Sequence, residues 1–277
     1  MTVAGYGYWS GQDVSVEFRP AEAATGLVFV RGDLCPEVRI AAVIDNRIEA
    51  PRRTTLRRHG VSVEMVEHVL AALAGLCIDN CEIWVSAAEL PGCDGSSLPF
   101  VEALDSAGLV EQPALRSTIR VRDATWLGNQ ESWIELEPCV EGGLTIEYHL
   151  DFGRDHPIGC QALSLPITPE TFRREIAPAR TFLMKDEAQW LLTQGLGKRT
   201  TPRDLLVFSD EGPIDNPLRF ADECVRHKIL DVLGDFALAG CDLIGHITAH
   251  RSGHQLNAHM VRTLLSHESL AALRRSA

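Results

Sequence analysis

His227, Asp231 and Asp235 recur at four-residue spacing through Arg226-His227-Lys228-Ile229-Leu230-Asp231-Val232-Leu233-Gly234-Asp235. On a helix, residues four apart stand one above the other, so these side chains form one polar row while Ile229, Leu230 and Leu233 can face a core. An imidazole and a carboxylate one turn apart are two ready ligands for zinc, which binds nitrogen and oxygen at about 2.0–2.2 Å. The same spacing describes an ordinary solvated helix face, and the pair alone does not choose between the two. Two further groups carry matching chemistry: Glu67-His68, and His254 within Arg251-Ser252-Gly253-His254-Gln255-Leu256-Asn257. Catalytic zinc sites use three protein ligands and leave a position for water, a count that His68, His227 and Asp231 would meet. Zinc lowers the pKa of its water to about 7. Glu67 could then accept a proton, His254 could donate one to a departing amine, and Asp235 could keep His254 protonated.

The elements around these groups read as follows. Positions 14–19 alternate apolar and polar as a half-buried strand, 26–31 reads as a second strand, and 45–60 is a basic run of strands and turns. Positions 61–75 predict a helix with Ser62 as N-cap, an apolar stripe of Val66, Val69, Leu70 and Leu73, and Gly75 as its stop. Glu67 and His68 fall in its middle. A strand at 81–86, a turn-rich loop at 88–97 and a helix at 99–107 follow. The pattern weakens near Gln112-Pro113-Ala114, which sets a boundary between a domain of residues 1–113 with a basic insert and a domain of residues 114–277 with an insert around 183–210. The second half repeats the order of the first. Strands at 117–122, 132–137 and 143–151 precede helical stretches at 168–176 and 186–194, a loop-rich run at 195–216, and a long helix at 219–239. A strand at 243–249 and a closing helix end the chain. The fold class expected is α+β, two domains that each layer an antiparallel sheet on helices. A duplication is compatible with that order, although no residue-level repeat is visible.

Composition narrows the classes. The chain has 277 residues, 45% hydrophobic and 23% charged, with a net charge of −12, so it lacks the basic surplus that nucleic acid requires. No apolar run of about 18 residues occurs and the N-terminus has no signal-peptide pattern, so a cytoplasmic protein without a transmembrane segment is expected; a monomer is expected as well. Its eight cysteines are scattered without a C-x-x-C pair and read as free thiols.

Longer stretches around the same residues carry a family resemblance. Val66-Glu67-His68-Val69-Leu70-Ala71-Ala72-Leu73-Ala74-Gly75 with Ile78-Asp79-Asn80 resembles the first signature of the UDP-3-O-acyl-N-acetylglucosamine deacetylases of lipid A synthesis. Val225-Arg226-His227-Lys228-Ile229-Leu230-Asp231 with Gly234-Asp235 resembles the second, and Ser252-Gly253-His254 with Leu256-Asn257 the third. Asp94-Gly95-Ser96, Ala179-Arg180-Thr181-Phe182 and Asp155-His156-Pro157-Ile158-Gly159 add matches in the right order. The resemblance implies a zinc amidase with its active site between the domains. By it, His68, His227 and Asp231 hold Zn2+, Glu67 is the general base and His254 the general acid oriented by Asp235. Thr181 would hydrogen-bond the oxyanion, Lys228 would support substrate or intermediate charge, and Phe182, Arg251 and Gly253 would contact substrate. The partner implied is an acylated UDP-sugar or a related N-acetyl sugar, with peripheral membrane contact left open.

Departures from the family bear on specificity. Its early Gly-Leu-His-Thr-Gly turn stands here as Gly7-Tyr8-Trp9-Ser10-Gly11, its first strand is expected to be missing, and its lysine before a substrate-contacting tryptophan is Ser132 before Trp133. The stretch matching the family's apolar acyl passage reads Gly195-Leu196-Gly197-Lys198-Arg199-Thr200-Thr201-Pro202-Arg203-Asp204, with Arg52-Arg53 in the facing segment. If Lys198, Arg199, Arg203 and Arg52-Arg53 face the passage, as expected here, it is a poor host for a long acyl chain. If they turn outward, their stems leave it apolar. The alternatives carried are therefore a paralogue deacetylating a sugar or amide without a long chain, a non-catalytic sugar-nucleotide binder, and a structural zinc domain.

Overall fold

The computed structural model describes residues 1–140 and 142–276, with side chains described through His267. The first half forms a five-stranded sheet from β1 (Thr2–Tyr6), β2 (Asp13–Pro20), β3 (Leu27–Arg31), β4 (Val38–Ala41) and β5 (Cys81–Val85), in the order β1-β2-β5-β3-β4. The second half forms a sheet from β6 (Thr125–Gly128), β7 (Trp133–Glu137), β8 (Leu144–Asp151), β9 (Cys160–Pro166) and β10 (Asp242–His250), in the order β6-β7-β10-β8-β9. Both sheets are antiparallel except for one pair each along this path, β3 with β5 and β8 with β10. A short strand, Thr118–Arg120, also runs parallel to β10. The last strand of each half thus inserts between the second and third. Both sheets repeat one topology, which makes the repeated order of elements a repeat of structure.

Helices α1 (Glu67–Gly75) and α2 (Leu98–Ala107) flank β5, as α4 (Glu223–Phe236) and α5 (His254–Ser276) flank β10. Alternation sets the buried face of each sheet: Val14, Val16 and Phe18 on β2, and Ile146, Tyr148 and Leu150 on β8, point inward. α1 and α4 pack against each other, and both are buried on nearly all sides. A helix apolar around its circumference is a core element, so polar groups on these two helices lie inside the molecule. One cluster of buried residues runs through both halves.

Three expectations change here. The segment at 61–75 is not one helix: Val61–Glu64 is a strand paired with Thr55–Arg58, with Val63 opposite Leu56, and α1 begins only at Glu67. Alternating Val61 and Val63 favour the hairpin, and Met65, at φ 58°, turns the chain between strand and helix. Ser62 is therefore no N-cap, and Glu67 and His68 open the helix. The first strand expected to be missing is present, since β1 pairs with β2 along its length. The run at 195–216 contains strands Leu206–Ser209 and Gly212–Pro213, which join Phe182–Met184 in a small sheet. That sheet and helix α3 (Lys185–Thr193) cover the segment expected as the second insert.

Candidate metal centre and active site

The crossing of α1 over α4 brings the first two groups together. A Cβ on Gly234 would lie 2.2 Å from the Glu67 carbonyl oxygen, so only glycine allows this approach. At the crossing, His68 from α1 meets His227 and Asp231 from α4, and one ligand atom of each lies within 4.8 Å of the others. Asp231 Oδ1 is 3.4 Å from His227 Nε2 and 4.0 Å from His68 Nε2. The two imidazoles stand edge to face, with centroids 5.0 Å apart. All three residues are buried.

The donor set suits a divalent metal. His227 Nδ1 donates to the Ala179 carbonyl at 3.1 Å, which turns Nε2 toward the cluster. Burial, together with the neighbouring His227, lowers the His68 pKa to about 3, and burial also lowers that of His227. Both rings are therefore neutral and keep lone pairs to offer. Burial alone would raise the Asp231 pKa, but Lys228, whose Nζ donates to Asp231 Oδ2 at 2.6 Å, and His227 hold it well below the carboxylate range. Two nitrogens and one carboxylate oxygen in a tight group match a zinc ligand set.

Three other elements complete the site. Asp235, one turn beyond Asp231 and fully buried, accepts from His254 Nδ1 and Asn257 Nδ2, each at 2.8 Å. His254 is the first residue of α5, not part of a loop. Burial works against its charged form, but Asp235 outweighs that and raises its pKa to about 9. Glu67, buried, accepts from the Thr54 amide at 3.0 Å, and burial lifts its pKa to about 7. Thr181 and Phe182 enter through the segment anchored by a buried ion pair, Arg180 Nε to Glu223 Oε1 at 2.7 Å. Thr181 donates its amide to the Gly95 carbonyl at 2.8 Å, and the Phe182 ring stands 6.3 Å edge-on from His227. Lys228 also stands over the ring of Tyr148, whose hydroxyl donates to the Ser252 carbonyl at 2.6 Å. Among the described residues nothing lies within 4 Å of the Gly253 Cβ position, and Arg251, exposed, lies beside it on the wall.

Of the site residues expected from the sequence, all except Asp235 line one cleft of about 1520 Å³. Sequence reasoning did not single out Thr54, Asn257, Tyr148 or the Ala179 carbonyl as site groups. Their contacts cross between elements far apart in the chain, and no local spacing signals them.

The cleft's far end corrects the expectation of a cationic passage. Met65, Leu191, Leu196, Leu205, Val207 and Ile214 give it an apolar wall beside the charged Arg52, Lys185 and Glu187, while Lys198, Arg199 and Arg203 are not among the residues that line it and are exposed. Arg199 turns away to Asp13 at 2.6 Å and lies over the Tyr6 ring. Arg53 lies over Trp9 and pairs with Glu64 at 2.9 Å. Arg52 reaches the rim, paired with Glu187. An exposed cation keeps water or a carboxylate partner, which packing against these apolar side chains would remove.

Comparison with known proteins gives the same direction. A family model described as LpxC, UDP-3-O-acyl N-acetylglycosamine deacetylase, matches residues 1–266. The chain is 41% identical to the UDP-3-O-acyl-N-acetylglucosamine deacetylase of Thioalkalivibrio sulfidiphilus, over 95% of this chain and 87% of the relative. It is 40% identical to that of Myxococcus xanthus, over 97% and 85%. With that of Chlamydia caviae the figure is 38%, over 95% and 93%.

Proposed function

The chain belongs to the UDP-3-O-acyl N-acetylglycosamine deacetylase family, and from that premise we propose that it hydrolyses the N-acetyl amide of a UDP-3-O-acyl-N-acetylglucosamine in lipid A synthesis. Water adds to the amide carbonyl, the C–N bond breaks, and acetate and a free sugar amine leave. The observation that carries this reading is the meeting of three metal-type ligands with Glu67 and the His254–Asp235 pair at one end of an apolar-walled cleft.

His68, His227 and Asp231 would hold zinc. When bound, zinc supplies a Lewis acid that polarises a carbonyl and acidifies water. The chain's own groups handle the protons. Glu67, its Oε2 held by the Thr54 amide, takes the proton that water loses on attack, at Oε1. His254, its Nδ1–H held by Asp235, delivers the Nε2 proton to the departing amine. Thr181 and Lys228 also line the cleft, and a hydroxyl and an ammonium that reach the carbonyl oxygen as it gains charge would favour the transition state. The apolar far end receives the acyl chain.

Acetate release from UDP-3-O-acyl-N-acetylglucosamine, set beside release from UDP-N-acetylglucosamine and from simple N-acetyl sugars, tests the assignment. Faster release from the acylated substrate is expected. Release confined to sugars without an acyl chain would replace this reading with the paralogue. Release from none would favour a binding protein. Metal analysis should find about one zinc per chain, lost on combining His227→Ala with Asp231→Ala.

A further inference from the structure

Thr54 touches both ends of the proposed proton path without facing the cleft. It is fully buried and precedes the hairpin strand Thr55–Arg58. Its amide donates to Glu67 Oε2 at 3.0 Å. Its hydroxyl donates to Asp235 Oδ1, and among the described residues no other hydrogen bond reaches that oxygen. Its carbonyl accepts from the Val66 amide at 3.3 Å, so its backbone is clipped to the start of α1 from both sides. Asp235 Oδ2 in turn holds His254 Nδ1 at 2.8 Å. One unbroken set of hydrogen bonds therefore runs from Glu67 through Thr54 and Asp235 to His254, linking α1, the first insert, α4 and α5.

We propose that Thr54 is the positioning residue that sets the proton acceptor and the proton donor relative to each other, its amide fixing Glu67 and its hydroxyl fixing the Asp235 carboxylate that carries His254. This rests on the roles given above to Glu67 and His254. Three features favour threonine here. A β-branched side chain has few χ1 states, so the hydroxyl points in one direction. A buried carboxylate oxygen without a donor is costly, so Asp235 would turn or tilt if the hydroxyl were lost. His254 is bound to the other oxygen of that carboxylate and would move with it. Asn257 holds Oδ2 as well, but with nothing on Oδ1 it leaves rotation of the carboxylate unopposed.

Thr54→Val keeps the shape and removes the hydroxyl, and Thr54→Ser keeps the hydroxyl. In the zinc-loaded protein, Thr54→Val is expected to lower kcat roughly 10- to 100-fold, the scale of a small misplacement of reacting groups, with KM and metal content unchanged. Thr54→Ser should recover most of that loss. In a His254→Ala background, Thr54→Val should cost little more, because the residue through which it acts is gone. Wild-type kcat in Thr54→Val, no recovery with serine, or an equal loss in the His254→Ala background would each overturn the proposal. Thr54→Ala replaces valine if the latter does not fold. A second reading needs no substrate: the downfield proton signal of His254 Nδ1–H should move or vanish in Thr54→Val, and an unchanged signal counts against the role. If wild type releases no acetate, the proposed function fails while this signal still decides whether Thr54 orders His254.

Discussion

At the scale of single residues, Glu67 and His254 show how one buried site gives two acids opposite tendencies. Burial raises the Glu67 pKa to about 7, where a carboxylate is a competent proton acceptor. Burial would lower that of His254, yet the Asp235 carboxylate overrides it and the value reaches about 9. Near pH 8 the pair therefore holds the base open and the acid loaded. The rate of acetate release is expected to rise with pH through about 7, earlier once a bound cation favours the Glu67 carboxylate, and to fall above about 9 as His254 loses its proton. A pH profile of kcat checks both limbs. Glu67→Ala and His254→Ala should each cost roughly 10²–10⁴ in turnover with zinc retained, and near-normal turnover in either would remove that residue from the role. The same pair carries a stability signature. A histidine pKa raised above its ordinary 6.5 contributes stability that is fully present below about 6.5 and is lost as pH rises through about 9. Denaturant unfolding of the metal-free protein should show this loss, and His254→Ala should abolish it.

At the scale of elements, the site depends on how closely α1 and α4 cross. Gly234 faces the Glu67 carbonyl with no room for a methyl group. Gly234→Ala is therefore expected to push the helices apart, to cost about 1–3 kcal/mol in stability as overpacking does, and to weaken zinc binding by separating His68 from His227 and Asp231. Thermal unfolding and a zinc titration measure the two effects. Gly253→Ala is the contrast, because its Cβ would meet nothing within 4 Å among the described residues, and its stability should stay near wild type. If Gly234→Ala kept both stability and zinc affinity, the crossing would not be what assembles the ligands. The buried Arg180–Glu223 pair plays a related part at the start of α4. It ties the segment carrying Ala179 and Thr181 to the start of that helix, and so fixes the carbonyl that sets the His227 ring.

At the scale of the whole molecule, two sheets of one topology put their helices against each other, and a cleft opens where the two inserts meet over that seam. Met65, at the turn after the first hairpin, and Leu191, Leu196 and Val207 from the second insert share the apolar wall. Binding should therefore tighten steeply as the acyl chain of the substrate lengthens, by up to about 0.8 kcal/mol for each methylene buried. A series from four to fourteen carbons, measured as Kd on the zinc-loaded protein, checks this. A flat response would mean that the chain lies elsewhere and that the wall serves another purpose.

The local sequence determined most of the chemistry. Residue type and helical spacing paired His227 with Asp231 and Asp235, and the motif around His254 supplied the third group, because a helix repeat converts spacing into direction. Strands and helices were legible wherever apolar periodicity was strong. It failed at 61–75, where the short alternating run of Val61 and Val63 leads into the apolar stripe that begins at Val66, and nothing in the local pattern marks the turn at Met65. Only the tertiary structure decided the rest. Thr54 and Asp235, 181 residues apart, bond because two helices and an insert converge, and no pattern within a window can encode that. The charges of the second insert were plain in the sequence, but their direction was not. A long cationic side chain has several rotamers that differ by little on their own, and the choice falls to what surrounds it: Asp13 and the Tyr6 ring for Arg199, and Glu187 for Arg52.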